Sequence, residues 1–173
     1  MMNSLFWPFL NWLKHHNSTA AAMSLRYRGA LKDEGWFRSV AKLAPVDAAG
    51  NPIPWISYPA LHFLASRTQP DMQVFEFGSG YSTLWWAARV RRVIACECDP
   101  DWHKRVQDLA PKNVELAFGT SEEHRNLIAH HPQTFDVVTI DAEDRVRAAE
   151  CAVMALNNGG VILWDDTERP EYR

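Results

Sequence analysis

The chain has 173 residues, 47% of them hydrophobic and 23% charged, with a formal net charge of -3. That length suits one domain with a sizeable core rather than two ordinary ones, and the apolar share excludes a disordered chain, which lacks the residues to offset its conformational entropy. There is no basic excess and no arginine or lysine stripe of the kind that neutralises a phosphate backbone, so nucleic acid is not the expected substrate.

The opening run Leu5-Phe6-Trp7-Pro8-Phe9-Leu10-Asn11-Trp12-Leu13 is apolar, but it is about half the length of a membrane-spanning helix and Pro8 interrupts it. No transmembrane span is expected, and no basic residue precedes the run as it would in a signal peptide. It reads as an arm that docks on the domain or on a partner. Residues 1–55 as a whole, punctuated by Gly29, Gly35, Pro45, Gly50, Pro52 and Pro54, read as an irregular or partly helical prelude, docking arm or lid; residues 56–173 read as the ligand-binding domain.

From Tyr58 the pattern settles. Pro59 stands in the first turn of a predicted helix, where its missing amide proton costs nothing. Strand-like and helix-like segments then alternate, the signature of βαβ units and a parallel sheet. Val74–Phe77 is the first predicted strand, followed by a helix over 82–90. Val93–Glu97 is the second strand; Asp99 then caps a helix with Pro100 at its first position, and that helix carries Trp102, Val106 and Leu109 at core-facing spacing. Val114–Phe118 is the third strand, and Thr120-Ser121-Glu122-Glu123 forms a capping box opening the next helix. Phe135–Ile140 is the fourth strand. Its helix, over 142–156, is expected to stop at Asn157-Asn158-Gly159-Gly160, with glycine as a left-handed cap, before a fifth strand at Val161–Trp164. The fold class is therefore α/β, a doubly wound parallel sheet of about five strands.

Of the three cysteines, Cys96, Cys98 and Cys151, none belongs to an even framework or a CxxC clamp, which fits a reducing cytoplasm. Two apart on a strand, Cys96 and Cys98 would face the same side of the sheet as small buried hydrophobes. One residue of the pair Trp85-Trp86 is expected to face the sheet. The seven histidines make no HExxH pattern, and nothing ranks His15, His16 or His62 as a catalytic base.

The chemistry concentrates in Glu76-Phe77-Gly78-Ser79-Gly80-Tyr81-Ser82-Thr83, between a predicted strand and a predicted helix. Glycines there allow a tight turn and close approach of the backbone to a ligand. Glu97 follows Gly78 by nineteen positions, at the end of the second strand, where a carboxylate can accept hydrogen bonds from ribose hydroxyls. A nicotinamide dinucleotide enzyme shares these features. It would, however, want a small residue where Thr83 stands, and Glu76 beside the loop repels phosphates and attracts a cationic ligand.

VFEFGSGYST resembles the first motif of class I methyltransferases, and VIACECDPDW resembles the strand ending in their ribose-binding acid. FDVVTIDAEDR is similar to their fourth-strand motif, and NNGGVILWDDTERPEY to their fifth-strand segment. The resemblance spans roughly Tyr58 to Tyr172 and implies a Rossmann-like fold, S-adenosylmethionine as cofactor and methyl transfer to an oxygen or nitrogen of a small-molecule or carbohydrate-like acceptor. It implies that Gly78 and Gly80, flanked by Ser79, Ser82 and Thr83, line the methionine portion with Glu76 nearby, that Glu97 holds the ribose, and that Cys98, Ser121 and Glu122 meet the adenine. Thr120 departs from the aspartate of many relatives. Asp141 would face the transferring methyl or the cofactor's amino group, as the catalytic candidate, with capping of the following helix as the rival role. Asp141, Asp165 and Asp166 also resemble the acidic set of metal-dependent catechol and caffeoyl-CoA O-methyltransferases, but Asp144 stands where those have lysine, so a metal-dependent O-methyltransferase is the lesser alternative and no metal ligand is assigned. A nicotinamide oxidoreductase and a non-catalytic cofactor-binding domain are the alternative functions. Because the family's final two strands are not found, the fifth strand is expected to be an edge that pairs with missing strands, self-associates or is covered by the opening arm.

Overall fold

The computed structural model describes residues 18–167 together with Pro8, Trp12 and Arg169. Most of the opening apolar run, His15, His16, Glu168 and Pro170 lie outside the described residues. The chain divides into two compact units, Met1–Pro52 and Ile53–Arg173. In the first, among the described residues, the short helices α1 (Ser18–Ser24), α2 (Ala30–Asp33) and α3 (Trp36–Lys42) precede a turn in which the Asp47 carboxylate accepts from the backbone of Gly50 and Asn51.

The second unit is the α/β domain, a Rossmann-like, doubly wound parallel sheet. It runs α4 (Tyr58–Arg67), β1 (Gln73–Phe77), α5 (Tyr81–Ala87), β2 (Arg92–Glu97), α6 (Pro100–Gln107), β3 (Val114–Phe118), α7 (Ser121–Ala129), β4 (Phe135–Ile140), α8 (Arg145–Ala155) and β5 (Leu156–Trp164). The five strands lie in the order β3-β2-β1-β4-β5, and every pairing is parallel. Because side chains alternate along a strand, each central strand feeds two cores. Val74, Val93, Ala95 and Val137 pack under Leu61 and Leu64 of α4 and Trp85 and Trp86 of α5. Phe75, Phe77, Ile94, Cys96, Val138 and Ile140 pack on the other face against Ile128 of α7 and Ala148, Ala152 and Ala155 of α8. Both tryptophans are thus buried, where one was expected; their rings meet edge to face. Among the described residues no helix is long and apolar enough to cross a membrane.

Three readings are corrected. The segment Asn157–Gly160 is no helix stop: α8 ends at Ala155, and Leu156, already extended, starts β5. The register slips instead, Phe135 pairing with Leu156 but Val137 with Val161, so the four residues bulge out of the ladder. Gly159 takes φ 82 in the bulge, and the Asn157 side chain ties it back to Asp136 at 3.0 Å. Second, α8 begins at Arg145 rather than Ala142, with left-handed Asp144 before it, so Asp141 caps no helix. Third, only Val106 of the expected α6 core stripe is buried; Leu109 lies beyond the helix and is exposed, and Trp102 is turned toward another partner.

Candidate active site

β1 is the switch point of the sheet: the next strand in the chain lies on one side of it and β4 on the other, so the loops leaving β1, β2 and β4 part there and leave a crevice. A cleft of about 550 Å³ occupies it, lined by residues that include Gly78, Ser79, Glu97, Cys98, Trp102, His124, Asp141 and Glu143. That size suits a nucleoside-sized ligand.

The floor is the loop between β1 and α5. Gly78 has φ 98, and a Cβ there would fall 2.3 Å from the carbonyl oxygen of Asp141. Only glycine lets the loop pass this close to the end of β4, whose Asp141 N–H donates to the Phe77 carbonyl at 2.8 Å. Gly80 is extended backbone, with open space as far as the Trp102 ring at 3.7 Å. Thr83, wholly buried, accepts from the Gly80 N–H at 3.0 Å through its hydroxyl and so closes the loop onto the first turn of α5, beside half-buried Ser82. The β-branched residue that spoils a dinucleotide fingerprint is here a loop tie.

The wall is the β2–α6 turn. One Glu97 oxygen, Oε1, accepts from the backbone N–H groups of Cys98 and Asp99 at 2.9 and 3.0 Å, and Oε2 accepts from the Ser79 hydroxyl at 2.8 Å. Asp99 caps α6 as expected, accepting from the Trp102 N–H at 2.8 Å. The Trp102 indole N–H donates to the Ser79 carbonyl at 2.7 Å. Sequence periodicity assigns Trp102 to the core because spacing along a helix cannot reveal a backbone carbonyl contributed by another loop.

Glu76 lies beneath the loop, 2% exposed, on the face it shares with Val74. Thr139 donates to its Oε1 at 3.2 Å, and Oε2 is buried without a partner. Burial pushes its carboxyl up to about 7, an effect eased by the Thr83, Ser82 and Thr139 hydroxyls and reinforced by Asp141. A buried carboxyl met only by hydroxyls next to the glycine cradle is a place for a cationic group.

Exposed Cys98 faces Ser121 and His124, its Sγ 4.0 Å from the Ser121 hydroxyl and 3.8 Å from His124 Nδ1. Burial raises the Cys98 thiol and lowers the His124 imidazole, disfavouring the charged form of each. His124 carried no signal beyond its place one turn after the capping box. Thr120 spends its hydroxyl as the cap of α7, paired with Glu123, and Glu122 is exposed on the first turn.

At the mouth, Asp141 accepts from Arg145 at 2.7 Å, and the same guanidinium nitrogen reaches Asp166 at 3.4 Å. Arg169 also pairs with Asp166. The proposed acidic set is thus organised around a buried arginine. Among the described residues no group of three acidic, histidine or cysteine side chains is arranged to hold a metal ion. Burial, then Asp141 and Asp166, raise the carboxyl of Asp165.

The structure therefore brings Gly78, Ser79, Glu97, Cys98 and Asp141 onto one cleft, with Ser121 beside Cys98 and Glu76 below. Gly80, Ser82 and Thr83 shape the loop from behind, and Glu122 stands apart from the lining.

The family model described as a methyltransferase domain matches residues 75–167. No curated protein matches the chain. Among solved structures the chain is similar to a precorrin 8W decarboxylase of Methanobacterium thermoautotrophicum, with a TM-score of 0.55 and 19% identity over 71% of this chain and 69% of that one. It is similar to an rRNA methylase from Streptococcus thermophilus, with a TM-score of 0.48 and 22% identity over 66% of this chain and 76% of that one. A third is the YcgJ protein from Bacillus subtilis, with a TM-score of 0.47 and 18% identity over 61% of this chain; the match spans 48% of that protein's length.

Proposed function

The chain belongs to the methyltransferase-domain family, and on that premise we propose that it transfers a methyl group from S-adenosylmethionine to an oxygen or nitrogen of a small-molecule or carbohydrate-like acceptor. The observation that carries this reading is the meeting of the glycine loop, Glu97 and Asp141 on one cleft at the sheet's switch point.

When bound, the cofactor supplies a methyl group on a positively charged sulfur. The chain's share is to bind and orient. Glu97 accepts hydrogen bonds from ribose hydroxyls; the Gly78–Gly80 backbone, held by Ser79 and Thr83 and followed by Ser82, admits the methionine portion. Glu76 supplies negative charge below it, and Cys98 and Ser121 bound the adenine side. Asp141, fixed by Arg145, orients the acceptor or the cofactor's amino group. Holding the reactants in line in the cleft supplies much of the acceleration, so no dedicated base is required.

Glu97, Asp99, Asp141 and Glu143 line the cleft, and among the described residues no lysine or arginine does. Such a lining disfavours the pyrophosphate of a nicotinamide dinucleotide and the backbone of a nucleic acid, and tolerates a neutral or cationic acceptor. The free cysteines support placing the protein in the cytoplasm.

Calorimetry with S-adenosylhomocysteine and with NAD tests the reading: the first binds and the second does not. Binding of NAD alone overturns it. Glu97→Ala should weaken S-adenosylhomocysteine binding by about 1.5–3 kcal/mol, the range for hydrogen bonds to a charged group, with the fold retained. Parent-like affinity in this variant would displace the ribose from Glu97. An acceptor screen that follows S-adenosylhomocysteine release then identifies the second substrate; cofactor binding without turnover of any acceptor would favour a non-catalytic domain.

A further inference from the structure

We propose that Trp102 is a positioning residue that clamps the glycine loop by its main chain, so that Glu97 can exchange Ser79 for a ligand's hydroxyls while the loop stays in place. The exchange, though not the clamp itself, rests on the cofactor reading above.

Ser79 is held from two directions by one turn. Its hydroxyl donates to Glu97 Oε2 at 2.8 Å, and its carbonyl accepts from the Trp102 indole at 2.7 Å. The two ties differ in what a ligand does to them. Glu97 Oε1 is already engaged by two backbone N–H groups and Oε2 by the Ser79 hydroxyl alone, so a ligand that brings two hydroxyls fills the free lone pair of Oε2 and competes with Ser79 for the other. No carboxylate takes part in the indole tie, so it survives that competition. The indole is well placed for this task. Its backbone N–H is fixed by the Asp99 cap, its ring lies 3.7 Å from where a Gly80 Cβ would be, and it lines the cleft. A larger residue at 80 would meet the ring, so the open backbone of Gly80 leaves room for the clamp and the ligand together.

A ring 36% exposed would ordinarily exchange its indole proton with water quickly. The 2.7 Å bond predicts the opposite, which gives a readout apart from activity. In the ¹⁵N-labelled full chain, the Trp102 indole resonance, assigned through its contact with the Gly80 α protons, should lie downfield and exchange slowly with solvent. It should remain so when the chain is saturated with S-adenosylhomocysteine. Trp102→Phe keeps the ring packing and removes the donor, and is expected to bind S-adenosylhomocysteine about five- to tenfold more weakly, the worth of one hydrogen bond, with thermal stability near that of the parent. Fast exchange in the ligand-free chain, loss of the protected resonance on saturation, or parent-like affinity in Trp102→Phe would each overturn the proposal. Should the variant fail to fold, the two spectra of the parent decide. If the parent does not bind S-adenosylhomocysteine, the cofactor reading and the exchange fall together, and the ligand-free resonance alone decides the clamp.

Discussion

Gly78→Ala is expected to abolish cofactor binding and to destabilise the domain, whereas Gly80→Ala does neither to a comparable degree. The added methyl at 78 would sit 2.3 Å from the Asp141 carbonyl oxygen, and that oxygen belongs to backbone that cannot rotate away as a side chain would. The residue also keeps φ 98, a conformation that costs a non-glycine residue about 1–3 kcal/mol before any collision is counted. Relief requires the end of β4 to retreat from β1, and Asp141 lies on that end, so strain and loss of the site coincide. At position 80 the backbone is extended and the methyl meets the Trp102 ring at ordinary contact distance. Thermal unfolding checks the first effect, at about 2–4 °C per kcal/mol for a chain of this size, and calorimetry with S-adenosylhomocysteine checks the second. A Gly78→Ala chain that melts and binds like the parent would remove the close approach of loop and β4 from the account.

The second large effect is a pH dependence carried by Glu76. Its carboxyl is raised from 4.5 to about 7, chiefly by burial, so the folded state resists its ionisation. The stabilisation linked to the protonated form is complete below about pH 4.5, where folded and unfolded chains both hold the proton. It is lost as pH rises toward 7, because the unfolded chain releases the proton first. At about 1.36 kcal/mol per pKa unit this amounts to about 3 kcal/mol. Glu76→Gln, with no proton to lose, should remove that part of the slope and be the more stable protein at pH 8. A cationic ligand beside the carboxyl favours the ionised form, so affinity for S-adenosylmethionine relative to uncharged-sulfur S-adenosylhomocysteine should rise between pH 6 and 8 in the parent and stay level in Glu76→Gln. Urea unfolding across pH 4.5–8 gives the first comparison; equal slopes in the two proteins would mean that Glu76 is not the titrating group.

Much of this architecture is legible in residue order, for identifiable reasons. The third and fourth strands have the boundaries read from the sequence, because β-branched and aromatic runs are closed by turn residues on both sides. Asp99 and Thr120 are helix caps as read, since a cap depends on neighbours within one turn. The misreadings share a different cause. Asn157–Gly160 stops a helix or bulges a strand equally well, because a glycine at positive φ serves both, and only the pairing partner decides. Trp102 is assigned by the Ser79 carbonyl, and Arg145 by the Asp166 carboxylate as well as by nearby Asp141; Ser79 and Asp166 are distant in sequence, and no periodicity contains them.

The strand order also sets a sequence of events during synthesis. β1, β2 and β3 are consecutive in the chain and adjacent in space, so their pairing closes short loops, while the residues of β4 that join β1 follow 63 positions later. Three of the five strands can assemble while β4 is still unmade, and in that interval the edge that waits for a partner is β1, the strand that carries Glu76 and leads into the glycine loop. The cleft takes its third side from the end of β4, so three strands can pair before a nascent chain acquires a place for a ligand, and β5 joins beyond β4 afterwards.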